Sequence, residues 1–498
     1  LTENTLNKAI EKSKKGALAI TFIDSGAVTY KDISLSISDV VYIKKVEIIQ
    51  EPGEHAMMHV EAVLDSDIDE NDFQGIQDYV YLTYRNNSTG ENKILFYGMI
   101  HNISLCREGD GRILYLEAWD ATRQMDISPR SRVFQDTNMM LSQLVSEVMA
   151  VYYGSDYMIN FPDKPIGQLV VQYEETDWEF LKRLFSKYHT ALYPDTTHPA
   201  ARFLAGLSLS PEDFTWDELA YEISQDFNWL KAMKENGFHE MMAVHSVSYS
   251  LESYDIAAIG SQITYKNNAW YLAGVKRYLS EGNLVNKYCL RQKEGLNIIP
   301  YYNQKITGTS INGTIAAVKR DKVQVQLEID AGGTSGSGYL FPFSTVASSS
   351  DGSGWYCMPE PGESIRVYFP VDDEKEGYAI TNIKGREPEV GNPSDPMGNP
   401  EVRSISTNQN NHVKFTEEGV VISTGEDQGS VLINKDGSVV IDGLLDITIT
   451  AAESIQIVAG NDVVLNSQTL VRMENDAGAD LEIKSGEIGL HGMMIYEN

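Results

Sequence analysis

From Val431 onward the chain repeats itself every eight residues. The units are VLINKDGS, VVIDGLLD, ITITAAES, IQIVAGND, VVLNSQTL, VRMENDAG and ADLEIKSG. Their first and third positions are Val431/Ile433, Val439/Ile441, Ile447/Ile449, Ile455/Ile457, Val463/Leu465, Val471/Met473 and Ala479/Leu481. All fourteen are apolar, which a content of 42% hydrophobic residues would give by chance only about 10⁻⁴ of the time once the free choice of register is counted. A strand has period two, so positions one and three face the same side. The unit ends hold turn formers, among them Gly437, Ser438, Ser454, Gly460, Asn461, Asp462, Gly478 and Gly486. Each unit therefore reads as a short strand and a corner, with one apolar stripe kept inside the path.

A four-residue strand cannot bury such a stripe alone, and both its edges carry N–H and C=O groups that need partners. Three copies wound about one axis answer both needs, with each strand flanked by strands of the other two chains. Seven layers about 4.8 Å apart make a shaft of roughly 34 Å. The rival is a single-chain solenoid with three units per coil, which seven units would fill little more than twice. Upstream, Val413/Phe415 and Val421/Ile422 suggest further strands out of phase, and downstream the phase slips to Ile488/Leu490.

The rest of the chain is also mainly β. Residues 16 to about 120 give strands such as VYIKKVEIIQ, DYVYLTYR and RILYLEAW, and strands return after about 240 in AVHSVSYSLESY and KYCLRQKEG. Between them the pattern is helical. Met139–Tyr153 and Thr176–His189 are expected helices. In the latter, Thr176 and Glu179 form a capping box, and Trp178, Leu181, Leu184, Phe185 and Tyr188 share a face. A further helix is expected from Thr215 to near Gly237, carrying Leu219, Ile223, Phe227 and Leu230. The expected organisation is an N-terminal block over 1–305, made of two β-barrels with a helical insert at about 138–240. A small Greek-key barrel follows over 306–385, then a Pro- and Gly-rich linker over 386–411 and the repeat domain over 412–498.

The stretch ITITAAESIQIVAGNDVVLNS resembles the needle of VgrG spike proteins and related phage tail spikes. The segment GWYCMPEPGESIRVYFP resembles the closing strands of the OB-fold that precedes that needle, through Trp355, Pro359, Gly362 and Glu363 followed by the alternating Ile365, Val367 and Phe369. ETDWEFLKRLF is similar to a helix of the family's hub. The resemblance implies a homotrimeric hub and spike at the tip of a contractile injection system. That machine would be a type VI secretion system, an extracellular particle or a phage-like tail. The resemblance also implies a hexameric inner tube docked on the hub, neighbouring baseplate proteins, and a PAAR-type cap on the needle. Assembly would be in the bacterial cytoplasm, with expulsion on sheath contraction. The implied trimer core is Val431, Ile433, Val439, Ile441, Ile447, Ile449, Ile455, Ile457, Val463, Leu465, Val471, Met473 and Leu481, and the cap would meet Met493, Met494 and Ile495. A trimeric receptor-binding fibre or adhesin is the alternative class.

Catalytic and metal chemistry finds little footing. The roughly 30 residues from Lys384 to Asn411 leave no room for the lysozyme domain of some phage relatives, and the few residues after Leu490 none for a trailing effector. His55 and His59 are spaced by four but lack a third ligand nearby. Asp65, Asp67 and Asp69 resemble the start of a calcium loop, yet Glu70 stands where that loop needs glycine and Ile76 where it needs glutamate. The serines of GTSGSG and DGSGW form no nucleophile elbow. His491, triplicated on the axis, is the one weak candidate for a metal. No enzyme activity and no cofactor are therefore expected.

Charge supports this. The net charge is −31, and three copies would carry three times that, a field that repels nucleic acid and anionic lipid. Cys106, Cys289 and Cys357 are odd in number and far apart, which suits a reducing compartment and no disulfide framework. No apolar run reaches the roughly 18 residues of a membrane span. The opening LTENTLNKAIEKSKKGALAITF lacks the apolar segment and cleavage site of a secretory signal, so another export route is expected.

Overall fold

A computed structural model describes residues 23–24, 26–65, 76–87, 89–109, 111–208, 211–212, 216–329, 338–346, 356–381, 399, 401–407, 409–425, 428–484 and 486–494. The chain is mainly β, 46% strand and 11% helix, and divides into two compact units, Leu1–Ile383 and Lys384–Asn498.

The first unit is organised by one twelve-stranded, mostly antiparallel sheet. Its first half runs through Val40–Gln50, Met57–Leu64, Gly111–Asp120, Asn92–Glu108, Tyr79–Arg85 and Ile33–Leu35. Met57–Leu64 shows how sequence dictates the layer, since Met58, Val60, Ala62 and Leu64 are buried while the residues between them are half-buried. The second half runs through Asn268–Ser280, Asn283–Arg291, Val247–Ser253 and Tyr221–Gln225, with Gln262–Tyr265 to the side. The halves enclose separate cores, one around Ile48, Leu82 and Phe96 and one around Tyr265, Leu272 and Leu290. Backbone pairing nevertheless joins them, Val275 opposite Gln50 and Tyr278 opposite Glu47. At this seam the buried Arg277 donates to Asn286 (2.7 Å), Tyr288 (3.1 Å) and the carbonyl of Ala257 (2.6 Å).

The helices between the halves are Leu141–Met149 and Asp177–Ser186, which pack Leu144, Val148, Trp178, Leu181 and Phe185 into a third core. The expected capping box is present. The Thr176 hydroxyl accepts from the Glu179 N–H at 3.1 Å, and the Glu179 carboxylate accepts from the Thr176 N–H at 3.0 Å. Thr176 also donates to Asp126. Thr176→Ala is expected to cost about 1–2 kcal/mol, read from the shift in denaturation midpoint.

The helix expected over Thr215–Gly237 is not formed as such. Tyr221–Gln225 is a strand paired with Val247–Ser253, and the helix is only Phe227–Glu235. Asp226 caps it by accepting from the Trp229 N–H at 2.9 Å. The spacing of Leu219, Ile223, Phe227 and Leu230 fits a helix, but Tyr221 to Gln225 also alternates with period two, and the free edge of the neighbouring strand decides between them.

Residues 309–381 form a five-stranded sheet ordered Leu340–Pro342, Lys322–Leu327, Thr309–Lys319, Ser364–Phe369 and Tyr378–Thr381. A bridge between Phe343 and Ala379 joins its ends and closes it into a barrel. Ile365, Val367 and Phe369 point into its core. The turn before them places Gly362 at φ +90°, a left-handed conformation suited to glycine. Trp355 lies outside the described residues.

Candidate assembly surface

The second unit presents its apolar residues to solvent, and the strand register says which face they occupy. Residues directly opposed in an antiparallel pair share one face. In the sheet Arg403–Ser406, His412–Thr416, Gly419–Thr424, Gly429–Asn434 and Val439–Gly443, one row is Ile405, Val413, Ile422, Val431 and Ile441. The row beside it is Arg403, Phe415, Val420, Ile433 and Val439. Arg403 alone among these ten is polar. The reverse face mixes Val421, Leu432 and Val440 with Ser404, Lys414, Ser406, His412, Ser423, Ser430 and Asp442. The apolar face thus gathers Val431, Ile433, Val439 and Ile441 from the repeat, and it uses Val420 with Ile422 where the sequence suggested Val421.

Within this chain the strands of 403–443 pair with one another as an antiparallel meander. The reason is the period itself. Five or six strand residues and a short turn suit a hairpin as well as a corner. At Lys435–Ser438 the Asp436 carboxylate accepts from the Ser438 N–H at 2.8 Å while Gly437 takes φ +88°.

Residues 444–470, three further repeats, behave differently. They form no strand, and among the described residues 446–466 make no backbone hydrogen bond within the chain. Their stripe of Ile447, Ile449, Ile455, Ile457, Val463 and Leu465 is 51–70% exposed. Regularly spaced branched apolar residues and backbone groups without a partner in the chain thus face solvent along this stretch.

Pairing within the chain resumes in Val471–Glu474, Asp480–Lys484 and Glu487–His491. Here Met473, Leu481 and Leu490 form one cross-strand row and Val471, Ile483 and Ile488 another. Ala479 sits in the turn, and Ile483 continues the stripe. Met493 and Met494 are exposed, and Ile495 lies outside the described residues. His491 is also exposed, its Nδ1 3.2 Å from Asp480 Oδ1. No three residues among His, Cys, Asp and Glu converge as metal ligands among the described residues.

The histidine pair of the first unit is separated by its surroundings. His55 is buried against Trp178, ring centroids 4.8 Å apart, with Nε2 3.4 Å from Asp126 and Nδ1 2.7 Å from Thr122 Oγ1. His59 faces Glu117 at 4.0 Å on a strand. Burial pushes the Asp126 carboxyl up, but His55, Thr176 and Arg123 outweigh it and hold the group below the ordinary aspartate range. This contribution to stability is complete above the unfolded value of about 4 and is lost as pH falls through the lowered folded value. Asp126→Asn is expected to flatten that part of the acid limb in a plot of unfolding midpoint against pH. Asp67, Asp69 and Glu70 lie outside the described residues, as do the serines of the two loops. A cleft of about 740 Å³ is an open groove between Trp216, Tyr221, Glu252 and Asp255. Asp255 is already engaged there by the Trp216 indole N–H at 2.7 Å.

A continuous, mostly antiparallel sheet, a closed five-stranded barrel and a C-terminal run of short strands define the fold. The structural neighbours are VgrG-like proteins of type VI secretion systems and phage tail and baseplate proteins. One is the E. coli c3393 protein, described as a type VI secretion component with structural similarity to the T4 bacteriophage tail proteins gp27 and gp5. It matches with TM-score 0.50 and 12% identity over 70% of this chain and 98% of its own. The lidded Francisella PdpA–VgrG complex matches with TM-score 0.51 and 10% identity, covering 88% of this chain and 82% of the other. Its half-lidded form gives 0.50 and 10%, over 88% and 92%. At these identities the likeness is one of fold. No protein-family model and no curated relative matches the chain.

Proposed function

We propose that three copies of this chain assemble as the hub and puncturing spike of a contractile injection system. The hub unit docks the inner tube, the repeat unit forms the needle, and the exposed Met493 and Met494 seat a PAAR-type cap. The observation that carries this reading is the stretch 446–466, which has an apolar stripe and no backbone partner of its own. Two more copies supply both. Strands from the neighbours satisfy the N–H and C=O groups, and three stripes meet on the axis, each buried Ile, Val or Leu contributing on the order of 1.5–3 kcal/mol before entropy. The meander of 403–443 then forms the base of the needle, its apolar face turned to the same axis. The role is mechanical and not catalytic. The sheath does the work and this chain passes the force on.

Deleting residues 412–498 tests the division of labour. The shortened protein is expected to keep its binding to assembled tube rings, followed by co-sedimentation, and negative-stain images are expected to lose the tip. Loss of tube binding on this deletion would count against the hub assignment.

A further inference from the structure

We infer that the hub and the five-stranded barrel are built as one force-transmitting block, with a two-stranded hub ribbon as their shared wall and Arg183 as the clamp across it. The mechanical role rests on the hub-and-spike reading; the joint itself does not.

The ribbon is Arg130–Phe134 paired with Val170–Glu175. Its side chains alternate between two cores, as period two requires. Phe134 and Val170 face the helices, among Leu144, Leu181 and Phe185. Val133 and Val171, with Leu169, face the other way and pack with Ile315, Val325, Phe341 and Phe369 of the barrel. The barrel's interior is therefore completed by three hub residues, each 3% exposed or less. At the ribbon's end the buried Gln135 donates to the Val325 carbonyl at 2.9 Å and accepts from the Tyr339 N–H at 3.2 Å. It joins the barrel's hydrogen bonding as an extra strand residue would.

Charge closes the joint. Arg183, on the hub helix, grips Glu175 with two hydrogen bonds of 2.7 and 2.8 Å and the Val171 carbonyl with one of 2.7 Å. Its remaining arm reaches Glu374 of the barrel at 3.2 Å, and Lys187 from the same hub segment reaches the same oxygen at 2.8 Å. The Arg183 and Glu374 side chains are each 2% exposed. Two cations thus balance two carboxylates out of water. The barrel's Glu374 takes both its cations from the hub, so the barrel with its acid in this position is complete only against the hub.

Hydrogen exchange on the full chain tests this. Phe369→Ala removes a barrel core ring and is expected to speed exchange of the barrel amides of Val323–Leu327 by roughly a hundredfold or more. If the joint is one block, the hub amides of Leu181–Phe185 speed up by the same factor, although no hub residue is altered. The milder Ile365→Val, which leaves the fold intact, is expected to move both sets together by about three- to tenfold. Glu374→Gln is expected to do the same. Acceleration confined to the barrel, with hub amides unchanged in any of these variants, would overturn the single block. The number of chains is read separately from sedimentation of the same samples, so a monomer with coupled exchange would sink the mechanical role and leave the joint standing.

Discussion

Changing Ile449 and Ile457 to aspartate is expected to convert an assembly of three chains into single chains. Both residues belong to the stripe of the unpaired stretch and are 67% and 70% exposed in one chain. In the proposed trimer they would stand at the axis in two successive layers, so the double change would set two rings of three carboxylates where apolar side chains should meet. The loss combines about 1.5–3 kcal/mol for each isoleucine with the cost of burying like charges. The native mass should fall to the 55.6 kDa of one chain, while the hub keeps its near-ultraviolet circular dichroism. Val458→Asp and Val464→Asp alter residues of the same stretch that stand outside the stripe's first and third positions, with side chains 91% and 81% exposed. They are expected to leave the mass unchanged. Equal effects of both pairs would show that the stripe has no preferred side.

The second large effect belongs to Arg183. Arg183→Ala leaves the buried Glu175 without its cation and the buried Glu374 with Lys187 alone, and breaking a buried ionic cluster in this way costs about 3–5 kcal/mol. Burial disfavours the guanidinium charge, but the two carboxylates outweigh it and hold the group protonated. Arg183→Lys should recover only part of the loss, because an ammonium cannot make the paired bonds to Glu175 while reaching Glu374. Thermal unfolding of the three proteins checks the order, with the alanine variant lowest. An alanine variant as stable as the parent would mean that water reaches the cluster.

What the sequence disclosed was local or periodic. The Thr176–Glu179 capping box spans four residues, and both of its hydrogen bonds are present as expected. The eight-residue period located the apolar stripe, and the register carries Val431, Ile433, Val439 and Ile441 on one face. The period could not say whether neighbouring strands belong to one chain or to three, because a hairpin and a β-helical corner use the same strand length and the same Gly and Asn turns. Pairing within 403–443 is set by which turns close, and that is tertiary information. The strand Tyr221–Gln225 was hidden because its partner, Val247–Ser253, is supplied from further along the chain. The joint was invisible because Arg183 and Glu374 are 191 residues apart and nothing local links them. Likewise the union of Val40–Gln50 with Asn268–Ser280 makes one sheet of what reads as two β units.

The number of chains in the purified full-length particle bears most directly on the whole account. Sedimentation equilibrium is expected to return three times 55.6 kDa over a wide concentration range, with amides of 447–465 strongly protected from exchange. A mass of one chain, with those same amides protected, would mean that the stretch finds its strand partners at home, and the spike would have to be given up.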